Sequence, residues 1–177
     1  MTTDEDGLAT PCLLISSPQM GDPFFERTVV LLWHHDAEGA AGLVINRPIP
    51  HPISAVIDGA EDYAGTEVLW GGPVERTRGT VVTSVDVADE DGWPLRPGLS
   101  VTASLGTLEN LFADKQPVVL CLGYAGWGAG QLDREVERGG WLFTDATDDL
   151  IFATPREELY ETALLTLGLT PATILMN

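Results

Sequence analysis

Leu-Gly-Tyr-Ala-Gly-Trp-Gly-Ala-Gly-Gln-Leu-Asp-Arg-Glu, residues 122–135, follows the unbroken apolar run Val118 to Leu122 and leads into a helix start. The apolar run reads as a strand buried on both faces, because a half-buried strand would alternate. Glycine costs more conformational entropy than any other residue and is used where the backbone needs positive φ or close approach to another group. Four glycines, at 123, 126, 128 and 130, therefore predict a bent loop after the innermost strand. Gln131 to Arg138, stopped by Gly139-Gly140, predicts a helix beyond it.

Outward from this bend, apolar and β-branched runs alternate with turn residues. Cys12 to Ser16 reads as a strand and residues 17–23 as a loop. Thr28 to His35 and Ala41 to Asn46 flank the turn residues Asp36 to Ala40 and predict a hairpin. Ile53 to Asp58 suits a short helix, and Glu67 to Trp70 a strand ending at Gly71-Gly72-Pro73. Thr80 to Ser84 and Leu99 to Ala103 read as strands around a polar excursion, Asp86 to Gly98. Leu105, Leu108, Leu111 and Phe112 recur at helical spacing, closed by Asp114 to Pro117. Trp141 to Thr144 and Leu150 to Ala153 read as another strand pair. Thr154-Pro155 then opens a helix through Leu167 that Gly168 stops. Hairpins first and helices later predict an α+β fold with a largely antiparallel sheet. Neither repeats nor a dividing linker interrupts residues 1–177, so one domain is expected, with 1–10 a disordered acidic tail.

A chain of 177 residues that is 44% hydrophobic can bury a substantial core. Its apolar runs are far shorter than the roughly 20 residues of a membrane-spanning helix. The acidic N-terminus lacks the basic and apolar regions of a secretory signal, which predicts a cytoplasmic protein without a membrane partner. Cys12 and Cys121 lie in apolar segments, without disulfide or CxxC spacing. Nine Lys plus Arg against 27 Asp plus Glu give a net charge of -18, a field that repels polyanions and disfavours direct nucleic-acid binding. Lys115 is the sole lysine. A surface this rich in carboxylates suits either high-salt adaptation or plain solubility.

Three blocks carry a family resemblance: Asp-Pro-Phe-Phe-Glu-Arg-Thr-Val-Val (22–30), Gly-Ala-Ala-Gly-Leu-Val-Ile-Asn-Arg-Pro (39–48) and Gly-Tyr-Ala-Gly-Trp-Gly-Ala-Gly-Gln-Leu (123–132). In order and spacing they resemble the AlgH/YqgE family of bacterial proteins. Gly71-Gly72-Pro73-Val74, Arg78-Gly79 and the segment 148–168 extend the similarity over roughly residues 11 to 169. The resemblance implies antiparallel strands curled into a pseudo-barrel with helices packed outside. It implies no defined reaction; the family's name points to a regulatory role in exopolysaccharide gene expression. The chain departs from the family's Thr/Ser-rich lead into the central helix with Ala103-Ser104-Leu105-Gly106-Thr107.

Two constellations are candidate sites. A strand turning through glycines into a helix N-terminus presents N–H groups beside the positive end of the helix dipole, which suits an anion. Tyr124, Gly126, Trp127, Gly128, Gly130 and Gln131 compose that segment. Its alternative is a structural corner, with Asp133 and Glu135 capping those donors and the aromatic rings sealing the sheet edge. The spacing is neither a Walker loop nor a dinucleotide fingerprint. The second constellation is the arginines Arg27, Arg47, Arg76 and Arg78, which lie near glycine-proline turns, with Asn46, Gly71 and Gly72 beside them as candidate ligand- or partner-binding residues. A hairpin symmetric about Glu38 brings Arg27 and Arg47 to one open end, where planar guanidinium forks suit carboxylate or phosphate. The bland alternative pairs the arginines with Asp22, Glu26 and Glu75.

Adjacent His34 and His35 point to opposite faces of a strand and cannot share a metal. His35 is expected to stabilise the hairpin turn. No metal and no cofactor are expected, and no serine sits in a nucleophile elbow. These readings favour a non-catalytic regulatory module that binds a small ligand or a protein. The alternatives are an enzyme of unrecognised type, such as a hydrolase acting on a small anionic substrate, and a transcriptional regulator.

Overall fold

Cys12–Ser16 (β1) pairs antiparallel with Val29–Asp36 (β2), which turns at Ala37-Glu38 into Gly39–Val44 (β3). The structure, a computed structural model, describes residues 8–18, 25–50, 53, 67–88 and 90–170. The strands that follow are Val68–Trp70 (β4), Val74–Thr83 (β5), Trp93–Arg96 (β6) and Leu99–Thr102 (β7). Helix α1, Leu105–Ala113, leads to the long strand β8, Val118–Trp127. Helix α2 (Gln131–Glu137), strand β9 (Trp141–Asp145) and helix α3 (Leu159–Leu165) complete the described chain. The sheet order is β6-β7-β5-β8-β3-β2-β1-β9, with β4 parallel to β8 as the one exception to antiparallel pairing among the described strands.

Period-two alternation decides which residues face inward. Leu13, Ile15, Val29 and Leu31 meet Val82, Leu99, Val101 and Cys121 in one interior core, closed by Leu159, Tyr160 and Leu164 of α3. The opposite face of β1 to β3 presents Cys12, Leu14, Val30 and Val44, covered by Leu132 of α2 and by Trp127 and Trp141. Leu108 and Leu111 of α1 cover Val68, Val81 and Leu120. The sheet thus curls into a half-barrel, as the resemblance implied. Its two end strands approach each other: Arg96 of β6 donates to the Ala146 carbonyl just past β9 at 2.7 Å and to Asp148 Oδ1 at 3.1 Å. Trp33 of β2 and Trp93 of β6 meet edge-to-face across the same opening, their centroids 5.3 Å apart.

Several local expectations are corrected. The glycine-rich segment is not a loop through Gly130, because β8 continues through Gly123, Tyr124, Ala125 and Gly126 to Trp127. The polar excursion contains β6, an end strand with no buried residue and hence no apolar alternation to reveal it. Asp149–Ala153 forms a π-helical turn rather than a strand, and Arg156–Glu158 is a 3-10 turn that precedes α3. A short apolar run suits a strand or a buried helical turn equally well. Leu8 is buried in the outer core, so the expected loose tail does not extend to it. Of the helix expected at Ile53 to Asp58, only Ile53 lies within the described residues, and it is buried. Cys12 and Cys121 are free and belong to different cores. No helix among the described residues is long and apolar enough to cross a membrane.

Candidate functional site

β8 pairs with β4 through residues 120–122 and then with β3 through residues 125–127. The exchange occurs at Gly123, where φ is +79°. Here the Gly71-Gly72 backbone crosses β8 so closely that a Cβ on Gly123 would lie 2.3 Å from the Gly72 carbonyl oxygen. A Cβ on Gly72 would lie 2.1 Å from the Tyr124 carbonyl carbon. Gly71 donates to the Leu122 carbonyl at 2.7 Å and accepts from the Val44 N–H at 2.8 Å. Gly71, Gly72 and Gly123 therefore hold the crossing at which β8, paired with β5 as well, exchanges β4 for β3.

Beyond it, the Trp127 indole is buried, stacked on Phe25 at 6.3 Å and edge-on to Trp141 at 6.0 Å. Glu135 Oε1 accepts from both indoles, Trp127 Nε1 at 3.0 Å and Trp141 Nε1 at 2.9 Å. Gln131 donates to Glu135 Oε2, while its own Oε1 accepts the Gly128 N–H at 3.0 Å. Gly130 takes the left-handed conformation at the helix start; Gly126 and Gly128 are exposed. The acids expected to cap α2 do other work. Glu135 holds the indoles, and Asp133 accepts from the buried His35 side chain, Nε2 to Oδ1, at 2.9 Å. His35 thus links β2 to α2, and Asp36 stabilises the hairpin turn by accepting from the Glu38 and Gly39 N–H groups.

The first two family blocks meet as the hairpin symmetry predicts. Asn46 donates to the Arg27 carbonyl at 3.0 Å and accepts the Val29 N–H at 2.9 Å, bracing Arg27 at φ +54°. Arg47 donates to the Glu26 carbonyl at 2.8 Å. The two guanidinium groups lie over different rings, Arg27 over Tyr160 at 4.6 Å and Arg47 over Trp70 at 5.1 Å. Arg27 also pairs with Glu161, and Arg78 pairs with Glu75 while lying 6.0 Å over Tyr124. The third block joins through Phe25 on Trp127 and the pairing of Ala40 to Gly42 with Ala125 to Trp127.

A cavity of about 430 Å³ opens elsewhere, between the start of β8, the end of α1 and the turn before α3. Leu69, Phe112, Val118, Val119 and Phe152 supply apolar walls, and Glu67, Lys115, Gln116 and Arg156 the polar ones. Arg156 donates to the Ile45 carbonyl at 2.9 Å and to the Ile151 carbonyl, tying the π-helical turn to the end of β3. Its hydrogen bonds thus include two to neutral acceptors. Burial lowers the guanidinium below its ordinary range, and nearby Cys121 and Glu67 offset this only in part. Lys115 sits at φ +54°, where its N–H bonds the Phe112 carbonyl and the Gln116 N–H bonds the Leu111 carbonyl. This double closure of a helix normally takes glycine; here the chain's one lysine fills it and lines the cavity. Sequence reading missed both cations. Arg156 reads locally as a helix opener, and only an unusual residue after α1, at the place of a C-terminal glycine, could have drawn notice to Lys115.

The residues found in the cavity offer charge and apolar surface. Among the described residues, no group of three or more His, Cys, Asp or Glu is placed to hold a metal ion. The AlgH-like family model matches residues 13–172. The UPF0301 protein of Ruegeria pomeroyi is 40% identical over 166 residues, covering 89% of this chain and 90% of that protein. The UPF0301 protein of Myxococcus xanthus is 38% identical over 173 residues, covering 94% and 95%. The solution structure of the AlgH protein from Pseudomonas aeruginosa superposes with a TM-score of 0.77 at 30% identity, covering 96% of this chain and 97% of that one. A crystal structure from Corynebacterium diphtheriae, 22% identical, shares the fold with a TM-score of 0.72 over 94% and 90%. With a family model spanning nearly the whole curled sheet and relatives matched over almost their full length, the chain belongs to the AlgH-like family.

Proposed function

We propose that this protein is a non-catalytic small-ligand-binding module with a regulatory role in the cytoplasm. The cavity at Arg156 and Lys115 supports this reading most directly. At about 430 Å³ it falls at the small end of the volumes that hold metabolite-sized ligands. Its apolar walls are joined to a half-buried cation, the combination of burial and orientation that small-molecule seats use. The described polar lining, Glu67, Lys115, Gln116 and Arg156, offers charged and hydrogen-bonding contacts to a bound molecule. In this reading Arg27, Asn46, Arg47, Gly71, Gly72 and the segment from Tyr124 to Gln131, none of them among the cavity's described lining residues, serve the sheet crossing and the aromatic cluster beside it.

Thermal-shift screening with small metabolites tests it. A ligand that binds the folded state alone stabilises by about 2.7 kcal/mol at one hundred times its Kd. We expect such stabilisation from at least one compound class and its loss in Gln116→Trp, which fills the cavity mouth from an exposed position. Stabilisation unchanged by that variant, or none from any compound, would overturn the reading.

A further inference from the structure

We infer that the cavity takes a small organic monoanion with an apolar tail, its carboxylate on Arg156 and Lys115. This assignment rests on the cavity being the ligand seat. Charge arithmetic chooses the head group: the described lining carries two cations, Lys115 and Arg156, and one carboxylate, Glu67, inside a molecule whose net charge is -18. One added negative charge neutralises the site, whereas a dianion or triphosphate would leave it negative within an already repulsive field. Arg156 is half-buried and already gives N–H groups to the Ile45 and Ile151 carbonyls, so its position is set before a ligand arrives. A planar fork held in this way suits a carboxylate.

Apolar walls choose the rest of the molecule. Leu69 and Val119 are buried in the interior core, and Phe112 and Phe152 are half-buried beside the opening, so a tail entering here contacts carbon on several sides. At roughly 30 Å³ per water-sized atom, the volume accommodates on the order of ten to fourteen non-hydrogen atoms. Octanoate, with a carboxylate and seven tail carbons, is a probe of the right size and charge. Lys115 holds a backbone conformation that favours glycine and, as an exposed residue of the lining, brings the second cation.

Matched probes separate head from tail. Isothermal titration and amide chemical shifts are measured with octanoate, octanol, octylammonium and inorganic phosphate on the full chain. Octanoate should bind about tenfold or more tighter than octanol, the effect of one charge-assisted contact, and octylammonium should not bind. Phosphate alone should bind more weakly than octanoate. Lys115→Gln should weaken octanoate about three- to tenfold while leaving octanol unchanged. Arg156→Lys, which keeps the charge and loses the fork, should also weaken octanoate; Lys115→Gln keeps the test valid if that variant unfolds. Equal binding of octanol or octylammonium would overturn the monoanion assignment yet leave a binding cavity standing. Phosphate binding without octanoate binding would overturn the tail assignment. If no probe shifts residues of the cavity, the monoanion assignment fails; the binding-module reading then stands or falls separately on the wider metabolite screen and its Gln116→Trp control.

Discussion

Gly123 shows how a single residue can carry a topological decision. Its φ of +79° and the Gly72 carbonyl oxygen 2.3 Å from where a Cβ would sit make any side chain costly twice over. Gly123→Ala should lower stability by about 3 kcal/mol or more, combining the left-handed penalty with backbone displacement. Gly79→Ala is the control, because nothing lies within 4 Å of its would-be Cβ and its φ is unexceptional; it should stay within about 0.5 kcal/mol of the parent. Urea unfolding of the pair measures both. Lys115 presents the reverse case, a side chain where the backbone favours none. Lys115→Gly should raise stability by roughly 0.5 to 1 kcal/mol while weakening octanoate, so that melting and titration move in opposite directions.

At the scale of elements, the half-barrel depends on contacts between pieces far apart in sequence. Arg96 reaches from β6 to the Ala146 carbonyl and Asp148, bridging the two ends of the sheet. Arg96→Gln should cost about 1 kcal/mol, since the side chain is partly exposed and water can replace part of the interaction. Hydrogen exchange should quicken at Ala146 and Thr147 before it changes in β1, which lies inside the sheet. Helix ends were largely legible beforehand. Gly139 and Gly168 close α2 and the last helix in left-handed conformations, as their positions predicted. The end strand β6 was not legible, because its four residues run from exposed to half-buried, with none fully buried, and so carry no alternation for a reader to find.

Over the whole molecule, two kinds of charge effect make separate predictions. Burial pushes the Cys121 and Cys12 thiols up from 9.0 to about 12. The folded state therefore disfavours thiolate that the unfolded chain forms freely. Their contribution is fully present below pH 9 and declines as pH rises toward 12. Each thiol should cost roughly 1.4 kcal/mol at pH 10 relative to pH 8, and Cys121→Ala should remove its share of that slope in urea titrations. Separately, a net charge of -18 means self-repulsion that dilute salt screens. Melting temperature should rise by a few degrees up to about 0.2 M KCl and then level off, because the Debye length is already near 8 Å at 0.15 M. A steep rise continuing into molar KCl would mark high-salt adaptation instead.

Local patterns in the sequence determined most strands, the first hairpin, the cores of α1 and α2, and membership in the family, because alternation, helical spacing and turn chemistry act between near neighbours. They also brought Arg27 and Arg47 to one end, since hairpin pairing follows from a turn. Tertiary structure alone decided that Gly72 and Gly123 serve a backbone crossing, that Glu135 holds two indoles, and that Arg156 faces a cavity with Lys115. The crossing and the cavity depend on curvature of the sheet, which brings residues dozens of positions apart side by side, and Glu135 meets both indoles, eight and six positions away, through the packing of α2 against the outer core. No local pattern encodes either arrangement.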